Sequence, residues 1–289
     1  MKKNTIMMVI ILSSAILLSA CGGGGNEKDG EGEKGTLKFG INNWAENIAV
    51  SNMWKVLLEE KGYSVELKEL EKAAVWTGIA QNDLDVAPEI WLPKTDEPLY
   101  ERYKDDIVKR ESWYEGTGLG FAVPTYLENI NSIEDLNANN DTLGGRIIGI
   151  ESGTSLMELA NEAINEYDIE LDLVQSSEPA MLSELKKAHD LNEPIVVTLW
   201  NPHWVFAEYE LKYLEDPKKT FGEQDDIFYM TRKDFEKDHE EVVKWMDKWK
   251  MNDDELGDLM SMINETSPEE GAKKWIEQNR ELVDNWLSK

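Results

Sequence analysis

Cysteine is almost absent from this chain of 289 residues, in which the single cysteine is Cys21. A disulfide within the chain is therefore excluded, and stability must come from the packed core. The only histidines, His189, His203 and His239, show no metal-ligand spacing and have no cysteines with which to build a zinc site. The sequence also lacks a phosphate-binding P-loop, a G-x-S-x-G elbow and a G-x-G-x-x-G turn after a strand. We therefore predict no catalytic residue, no metal and no cofactor.

Basic residues are scarce relative to acidic ones, with 30 Lys and Arg against 58 Asp and Glu and a net charge of −28. Such a charge repels phosphate groups, so nucleic acid and anionic lipid surfaces are excluded as direct partners. It mildly favours a cationic ligand, although acids spread over predicted helices and turns also suit a solvated surface. Charge by itself therefore identifies no function.

One apolar run stands near the N terminus, where two lysines precede Ile6–Leu18. The run is too short for a comfortable membrane span and predicts a secretory signal over residues 1–20. Leu18-Ser19-Ala20-Cys21 resembles the cleavage site of bacterial lipoproteins, in which the cysteine sulfur receives a diacylglyceryl group. The alternative is a plain signal peptide followed by an accidental cysteine. Residues 21–35, rich in glycine and charge, predict a lipidated flexible tether, and removal of the signal would bring the net charge to −30.

Short β-branched runs alternate with helical patterns along the exported chain, which predicts parallel sheets covered by helices on both faces. Strands are predicted at Thr36–Ile41, Tyr63–Leu70, Leu84–Ile90, Leu119–Val123, Arg146–Ile150, Leu171–Gln175, Pro194–Leu199 and Ile227–Thr231. Helices are predicted at Glu46–Lys61, Ala73–Gln81, Ser155–Glu166 and Glu178–Lys187, in the charged region before Gly116, and three times after the last strand.

Two such blocks predict an α/β protein with two lobes. With crossings near Leu119–Pro124 and Phe221–Ile227, residues 36–122 and 223–289 form the first lobe and residues 123–222 the second. The C-terminal helices are then expected to return and pack on the first lobe. No internal repeat of fixed period interrupts this organisation.

The segments that follow four predicted strands contain the candidate site. Trp44, Trp91 and Trp200 each follow a different strand, and Gly153-Thr154-Ser155-Leu156 follows a fourth strand and opens a helix. Ligands of open parallel sheets bind outside the carboxyl ends of the strands, so we expect these segments to share one cleft. A proline two residues after Trp91 and after Trp200 limits the backbone there.

The chain has eleven tryptophans, so core packing is the competing role for each. Trp76 and Trp113 cannot be assigned from their patterns, and Trp204 is expected to support the Trp200 turn. Core packing is predicted for the tryptophans within helical patterns, which are Trp54, Trp245, Trp249, Trp275 and Trp286.

Three indole faces suit two ligand classes, namely sugars and quaternary ammonium groups. A methylated ammonium cannot donate hydrogen bonds, but its charge is attracted to the ring faces by about 0.5–2 kcal/mol per contact. Three contacts fall short of the roughly 8 kcal/mol that micromolar binding requires. Free N–H groups at the helix start around Ser155 could anchor a carboxylate and supply part of the remainder.

Four stretches together resemble the glycine betaine-binding proteins of bacterial ABC importers, which have the two-lobed type II periplasmic-binding-protein fold with a hinged ligand cleft. The stretches are "INNWAENIA", "AAVWTGIAQNDLDVAPEIWLPKT", "GIESGTSLM" and "VVTLWNPHWVFAEYELKYLEDP", and the similarity extends from about Leu37 to Trp286.

The resemblance implies that Trp44, Trp91 and Trp200 box a trimethylammonium group, while backbone N–H groups matching Ser155 and Leu156 hold a carboxylate. It also implies a monomeric receptor outside the cell, anchored to the membrane by lipidated Cys21, whose closed form docks on an ABC permease.

One position departs from the family pattern. Some members carry a histidine after the "WLP" motif that helps hold the carboxylate, and Asp96 stands there in this chain. An anion at this place would repel a carboxylate. Either Asp96 points to solvent, or the preferred ligand lacks a carboxylate, as choline does. Asp96 and His203 are therefore candidate specificity residues.

The leading hypothesis is a receptor for glycine betaine that serves osmoprotectant uptake, with choline or carnitine as alternative ligands of the same fold. A secreted carbohydrate-active enzyme would need a positioned pair of carboxylates, which no predicted strand end offers. A cell-surface adhesion module would not need a hinged pair of lobes with convergent indoles.

Overall fold

The computed structural model describes residues 34–288. The predicted signal peptide, Cys21 and most of the predicted tether lie outside this range. Within it, the helices are too short or too polar for any of them to span a membrane.

The first of two five-stranded sheets is formed by strands from both ends of the described chain. Its strands are β1 (Thr36–Ile41), β2 (Ser64–Glu69), β3 (Val86–Leu92), β4 (Ile107–Glu115) and β10 (Asp226–Arg232), in the order β2-β1-β3-β10-β4. The strand β1 pairs in parallel with β2 and β3, whereas β10 is antiparallel to β3 and β4.

The second sheet takes its strands from the middle of the chain. They are β5 (Gly118–Pro124), β6 (Arg146–Ile148), β7 (Asp172–Val174), β8 (Val197–Asn201) and β9 (Leu211–Tyr213), in the order β7-β6-β8-β5-β9. The strand β6 is parallel to β7 and β8, and β5 is antiparallel to β8 and β9. The prediction of purely parallel sheets is therefore wrong, because both sheets also contain strands that enter from the other lobe in the opposite direction.

Helices cover these sheets. They are α1 (Ala45–Glu60), α2 (Lys72–Ala80), α3 (Glu97–Tyr103), α4 (Ser155–Glu166), α5 (Glu178–Leu191), α6 (Val205–Glu208), α7 (Phe235–Asp238), α8 (Glu240–Met246), α9 (Asp253–Glu265), α10 (Pro268–Gln278) and α11 (Arg280–Trp286). Five helices follow β10 rather than the predicted three. Separate N-caps at Asn252 and Ser267 start new helices within what reads as a continuous helical pattern.

The charged region before Gly116 is only partly helical. It contains α3, but Ile107–Glu115 forms the strand β4 at the edge of the first sheet. Along β4, the buried Ile107 and Trp113 are separated by partly exposed charged residues. An edge strand tolerates such charge because one side of it faces no neighbouring strand.

The chain passes between the sheets twice, from β4 to β5 and from β9 to β10. We call the half built on the first sheet lobe I and the half built on the second sheet lobe II. The predicted boundary at residues 122–123 falls inside β5, which belongs wholly to the second sheet. The helices α9 and α10 pack against α1 of lobe I.

The helical tryptophans lie in the core, as predicted. Trp249 stacks on Trp113 with ring centroids 4.3 Å apart and meets Trp54 edge to face at 5.6 Å. Trp275 and Trp286 are stacked at 6.2 Å. The buried rings on these helices are Trp54, Trp245, Trp275 and Trp286. Trp249 is buried as well, but it lies after the end of α8, so its predicted place on a helix is wrong. The unassigned Trp76 and Trp113 are also buried.

Candidate ligand-binding site

Three tryptophans from separate elements line one cavity between the lobes. Trp44 immediately precedes α1, Trp91 lies near the end of β3, and Trp200 lies near the end of β8. Only 7%, 4% and 4% of their surfaces are exposed. The space among these rings, part of it open to solvent, is about 340 Å³. The structure thus brings together the three rings that the sequence singled out.

Each of these indole N–H groups is directed at a glutamate. Trp44 Nε1 donates to Glu151 Oε1 at 2.6 Å, and Trp200 Nε1 donates to Glu46 Oε2 at 2.8 Å. Both of these bonds join lobe I to lobe II. Within lobe I, Trp91 Nε1 lies 3.4 Å from a carboxylate oxygen of Glu89. A ring that is held at its N–H edge keeps its faces available for contact with a ligand.

Several buried carboxyl groups lie around the rings. Burial raises the pKa of Glu46 well above its ordinary value, and the neighbouring Glu89 and Glu178 raise it further. Burial likewise raises the pKa of Glu89 to about 7, opposed by the nearby Lys72. Within the described chain, Glu46, Glu89 and Glu151 each keep one buried carboxylate oxygen without a hydrogen-bond partner. Of these three glutamates only Glu46 lines the cavity, and a cation bound there would favour its charged form.

Asp96 is fully buried, so the prediction that it could point to solvent is wrong. Its Oδ2 accepts the Trp91 backbone N–H at 2.9 Å, and its Oδ1 accepts the Ser155 hydroxyl at 3.2 Å. The ammonium of Lys72 lies 2.5 Å from Oδ1. Burial is possible because this lysine compensates the charge of the carboxylate. The alternative that the ligand lacks a carboxylate stays a prediction.

The start of α4 forms another wall of the cavity. Thr154 caps the helix by accepting the Met157 N–H on its hydroxyl at 3.3 Å, and Thr154, Ser155 and Leu156 all line the cavity. Within residues 34–288, the backbone N–H groups of Ser155 and Leu156 have no acceptor, as expected for the first residues of a helix. They are available for an anionic group.

Gly153 is not among the cavity-lining residues. Its backbone has φ of +85°, a left-handed conformation that glycine adopts without steric cost. This residue therefore shapes the turn before α4 rather than facing the cavity.

His203 lies behind Trp200 and does not line the cavity. Its ring meets that of Trp200 edge to face with centroids 4.8 Å apart. Its Nδ1 accepts the Val205 N–H at 3.2 Å, so Nε2 is the protonated nitrogen and donates to Glu178 Oε1 at 3.1 Å. Burial raises the pKa of Glu178, and His203 opposes that shift. The other oxygen of Glu178 accepts the Ala45 N–H across the cleft at 3.2 Å.

Sequence reasoning missed several wall residues, which are Glu46, Lys72, Thr95, Leu119 and Ile150. Glu46 could have been found, because it is an acid two residues after Trp44 at the start of a helix. Lys72 gives no such signal, since its partner Asp96 belongs to a different element. As for metal ions, residues 34–288 contain no cluster of three or more His, Cys, Asp or Glu suited to holding one.

The sequence matches a family model described as the substrate-binding domain of the ABC-type glycine betaine transport system, over residues 35–278. The glycine betaine/carnitine transport binding protein GbuC of Listeria monocytogenes is 37% identical over 144 residues, which make up 48% of each chain. The present chain thus spans about half the length of this curated relative.

Two solved structures are similar over almost the whole described chain. Lactococcal OpuAC, in its closed-liganded conformation with glycine betaine, has a TM-score of 0.82 and 33% identity, and the match covers 88% of this chain and 99% of that one. An ABC-transporter choline-binding protein in complex with choline has a TM-score of 0.80 and 25% identity, with 87% and 91% covered. These likenesses confirm the predicted fold class.

Proposed function

Because the chain belongs to the family of substrate-binding domains of ABC-type glycine betaine transport systems, as its motifs predicted, we propose that it is the extracytoplasmic receptor of such an importer. Its ligand is glycine betaine, which it delivers to a membrane permease. The observation that carries the proposal is the cavity in which three indole rings meet an unpaired helix start. The family consists of solute receptors rather than enzymes.

The two ends of glycine betaine match the two ends of the cavity. The trimethylammonium group lies among Trp44, Trp91 and Trp200, where each ring contributes about 0.5–2 kcal/mol. The carboxylate accepts the free N–H groups of Ser155 and Leu156. Since Trp44 and Trp91 belong to lobe I and Trp200 to lobe II, one bound ligand holds the lobes together. The closed form is then what the permease recognises.

Location follows from the predicted export signal. The lipoprotein-like sequence around Cys21 supports attachment of the mature chain to the outer face of the membrane through a lipid. The glycine-rich, charged segment that follows is a suitable spacer between the membrane and the folded part. We expect the receptor to act as a monomer.

Choline is the second candidate ligand. Carnitine is a further candidate, because the name of the Listeria relative includes it. Glu46 lines the cavity, and a ligand with a net positive charge, such as choline, would favour the charged form of this buried carboxyl group. A glycosidase is disfavoured because it needs a positioned pair of carboxyl groups. Among the described residues that line the cavity, Glu46 is the one acid.

The proposal is tested by calorimetric titration of the folded protein with glycine betaine and with choline. Trp200→Ala should weaken binding about tenfold or more while the protein stays folded, since one ring contact is lost. Trp249→Ala is the matched control, because this ring is fully buried in the core of lobe I. It should lower the unfolding free energy by about 3–5 kcal/mol and leave the affinity of the folded fraction unchanged.

Wild-type protein that binds neither glycine betaine nor choline would contradict the proposed function. An equal loss of affinity in the folded fractions of both variants would show that the cavity between the lobes is not the binding site.

A further inference from the structure

Lys72 is a buried cation at the edge of the tryptophan box. It is the first residue of α2, only 8% of it is exposed, and it lines the same cavity as the three indoles. Its ammonium lies 2.5 Å from Asp96 Oδ1 and 5.1 Å from the ring centroid of Trp44. Lysine is rarely buried unless its charge is paired, so the position of this ammonium depends on the carboxylate and the indole face together.

Both carboxylate oxygens of Asp96 have partners. One oxygen accepts the Trp91 N–H, and the other accepts the Ser155 hydroxyl and contacts Lys72. The carboxylate therefore has partners on both lobes and in addition a full positive charge beside it. In this arrangement Asp96 is not the free anion that would repel a ligand carboxylate.

The same contacts place Lys72 close to the start of α4. Asp96 Oδ1 is shared between the Lys72 ammonium and the hydroxyl of Ser155, whose N–H is one of those available at the helix start. An ammonium carries three donors, and Asp96 Oδ1 engages one of them. Positive charge and unpaired N–H groups are thus combined at one end of the cavity, which is the chemistry that binds a carboxylate.

We propose that Lys72 determines the specificity of the site: its ammonium, held by Asp96, contacts the carboxylate of a zwitterionic trimethylammonium ligand. The inference rests on the proposed function and names the ligand class within it. Glycine betaine gains a hydrogen bond between Lys72 and a charged carboxylate, whereas choline has a neutral hydroxyl in place of the carboxylate and gains only a weaker hydrogen bond.

The test is calorimetric titration of glycine betaine and choline into the wild type, Lys72→Met, Asp96→Asn and the double variant Lys72→Met/Asp96→Asn. Lys72→Met should weaken glycine betaine binding about tenfold or more, as expected for a charge-assisted hydrogen bond. Its choline affinity should fall by less. Lys94→Met, an exposed lysine in the loop after β3, is the control and should change neither affinity.

The double variant separates ligand contact from simple charge compensation. It contains neither charge, so it avoids the unpaired buried carboxylate that could unfold Lys72→Met. If Lys72 contacts the ligand, the double variant still binds glycine betaine weakly and has lost its preference over choline. If Lys72 only neutralises Asp96, the double variant recovers wild-type affinity, and the inference is overturned.

Two further results have distinct meanings. If the wild type binds glycine betaine and Lys72→Met has the same ratio of glycine betaine to choline affinity, the role of Lys72 is overturned but the proposed function is not. A wild type that binds neither ligand would overturn the proposed function and this inference together. Circular dichroism and thermal unfolding of each variant establish that affinities are compared between folded proteins.

Discussion

Glu89 illustrates how single residues in this site are held in unfavourable surroundings. One of its oxygens faces the Trp91 indole N–H, and the other is buried without a partner in the described part of the chain. Burial raises its pKa from 4.5 to about 7. The folded protein therefore binds a proton at pH values where the unfolded chain has already released it. A raised carboxyl pKa of this kind makes stability fall as the pH rises.

We expect the ligand-free protein to lose stability as the pH rises from about 4.5 to about 7, since a charged Glu89 is disfavoured only in the folded state. Glu89→Gln should reduce the difference in unfolding free energy between pH 5 and pH 8 by about 2.5 kcal/mol. Urea denaturation at the two pH values measures this difference. Glu162→Gln, an exposed site on α4, should keep the wild-type dependence, and a Glu89→Gln variant that also keeps it would contradict the prediction.

At the scale of elements, the helices α4 and α9 begin with similar side-chain caps, but the two caps have different roles. The helix α4 begins at the cavity, and the Thr154 hydroxyl accepts the Met157 N–H. The helix α9 begins away from it, and Asn252 and Glu255 exchange side-chain and backbone hydrogen bonds of 2.9 and 3.0 Å. Both caps satisfy donors that a helix cannot satisfy internally, but the cap of α4 also lies at the wall of the cavity.

Thr154→Ala and Asn252→Ala should each lower the unfolding free energy by about 1 kcal/mol through loss of the cap. Thr154→Ala should in addition weaken glycine betaine binding severalfold, because the N–H groups of Ser155 and Leu156 are no longer held in place. Thermal unfolding and calorimetry on the same samples separate the two effects. Equal affinities in the two variants would argue against a role for the start of α4 in binding.

The whole molecule is closed across the cleft by the residues that form the box. Trp44 donates to Glu151 and Trp200 donates to Glu46, each from one lobe to the other. These bonds can exist only when the lobes are together. If the rings bind a cation as proposed, they serve both the ligand and the closure, and occupancy of the cavity is coupled to the shape of the protein.

Glu151→Ala should weaken glycine betaine binding although Glu151 does not line the cavity, because the closed state loses a bond between the lobes. We expect a several-fold loss of affinity. A hydrogen bond to a charged group contributes about 1.5–3 kcal/mol, and water that replaces the lost partner offsets part of this. Small-angle scattering should show a larger radius of gyration than the wild type at the same subsaturating ligand concentration. Glu162→Ala removes an exposed charge from the same lobe and should change neither quantity; a Glu151→Ala variant indistinguishable from it would contradict the coupling.

Most helices and strands could be predicted from local residue patterns in the sequence, but the directions of the strands within the sheets could not. The strand β8 is readable as a continuous apolar run, and α4 is readable because its apolar residues recur at helical spacing. The strand β4 was missed, because charge on an edge strand resembles charge on a helix. The antiparallel placement of β5 and β10 depends on how the chain crosses between sheets, which no local pattern encodes.

The sequence by itself determined which rings could form a cation box, because Trp44, Trp91 and Trp200 each stand where a strand gives way to a turn, and the motifs around them identify the family. The tertiary structure decided what surrounds those rings. Lys72 and Asp96, like Trp44 with Glu151 and Trp200 with Glu46, are far apart in the chain and become partners only when separate elements pack. Their charges are compensated by neighbours in space rather than in sequence, so the character of the site depends on the fold.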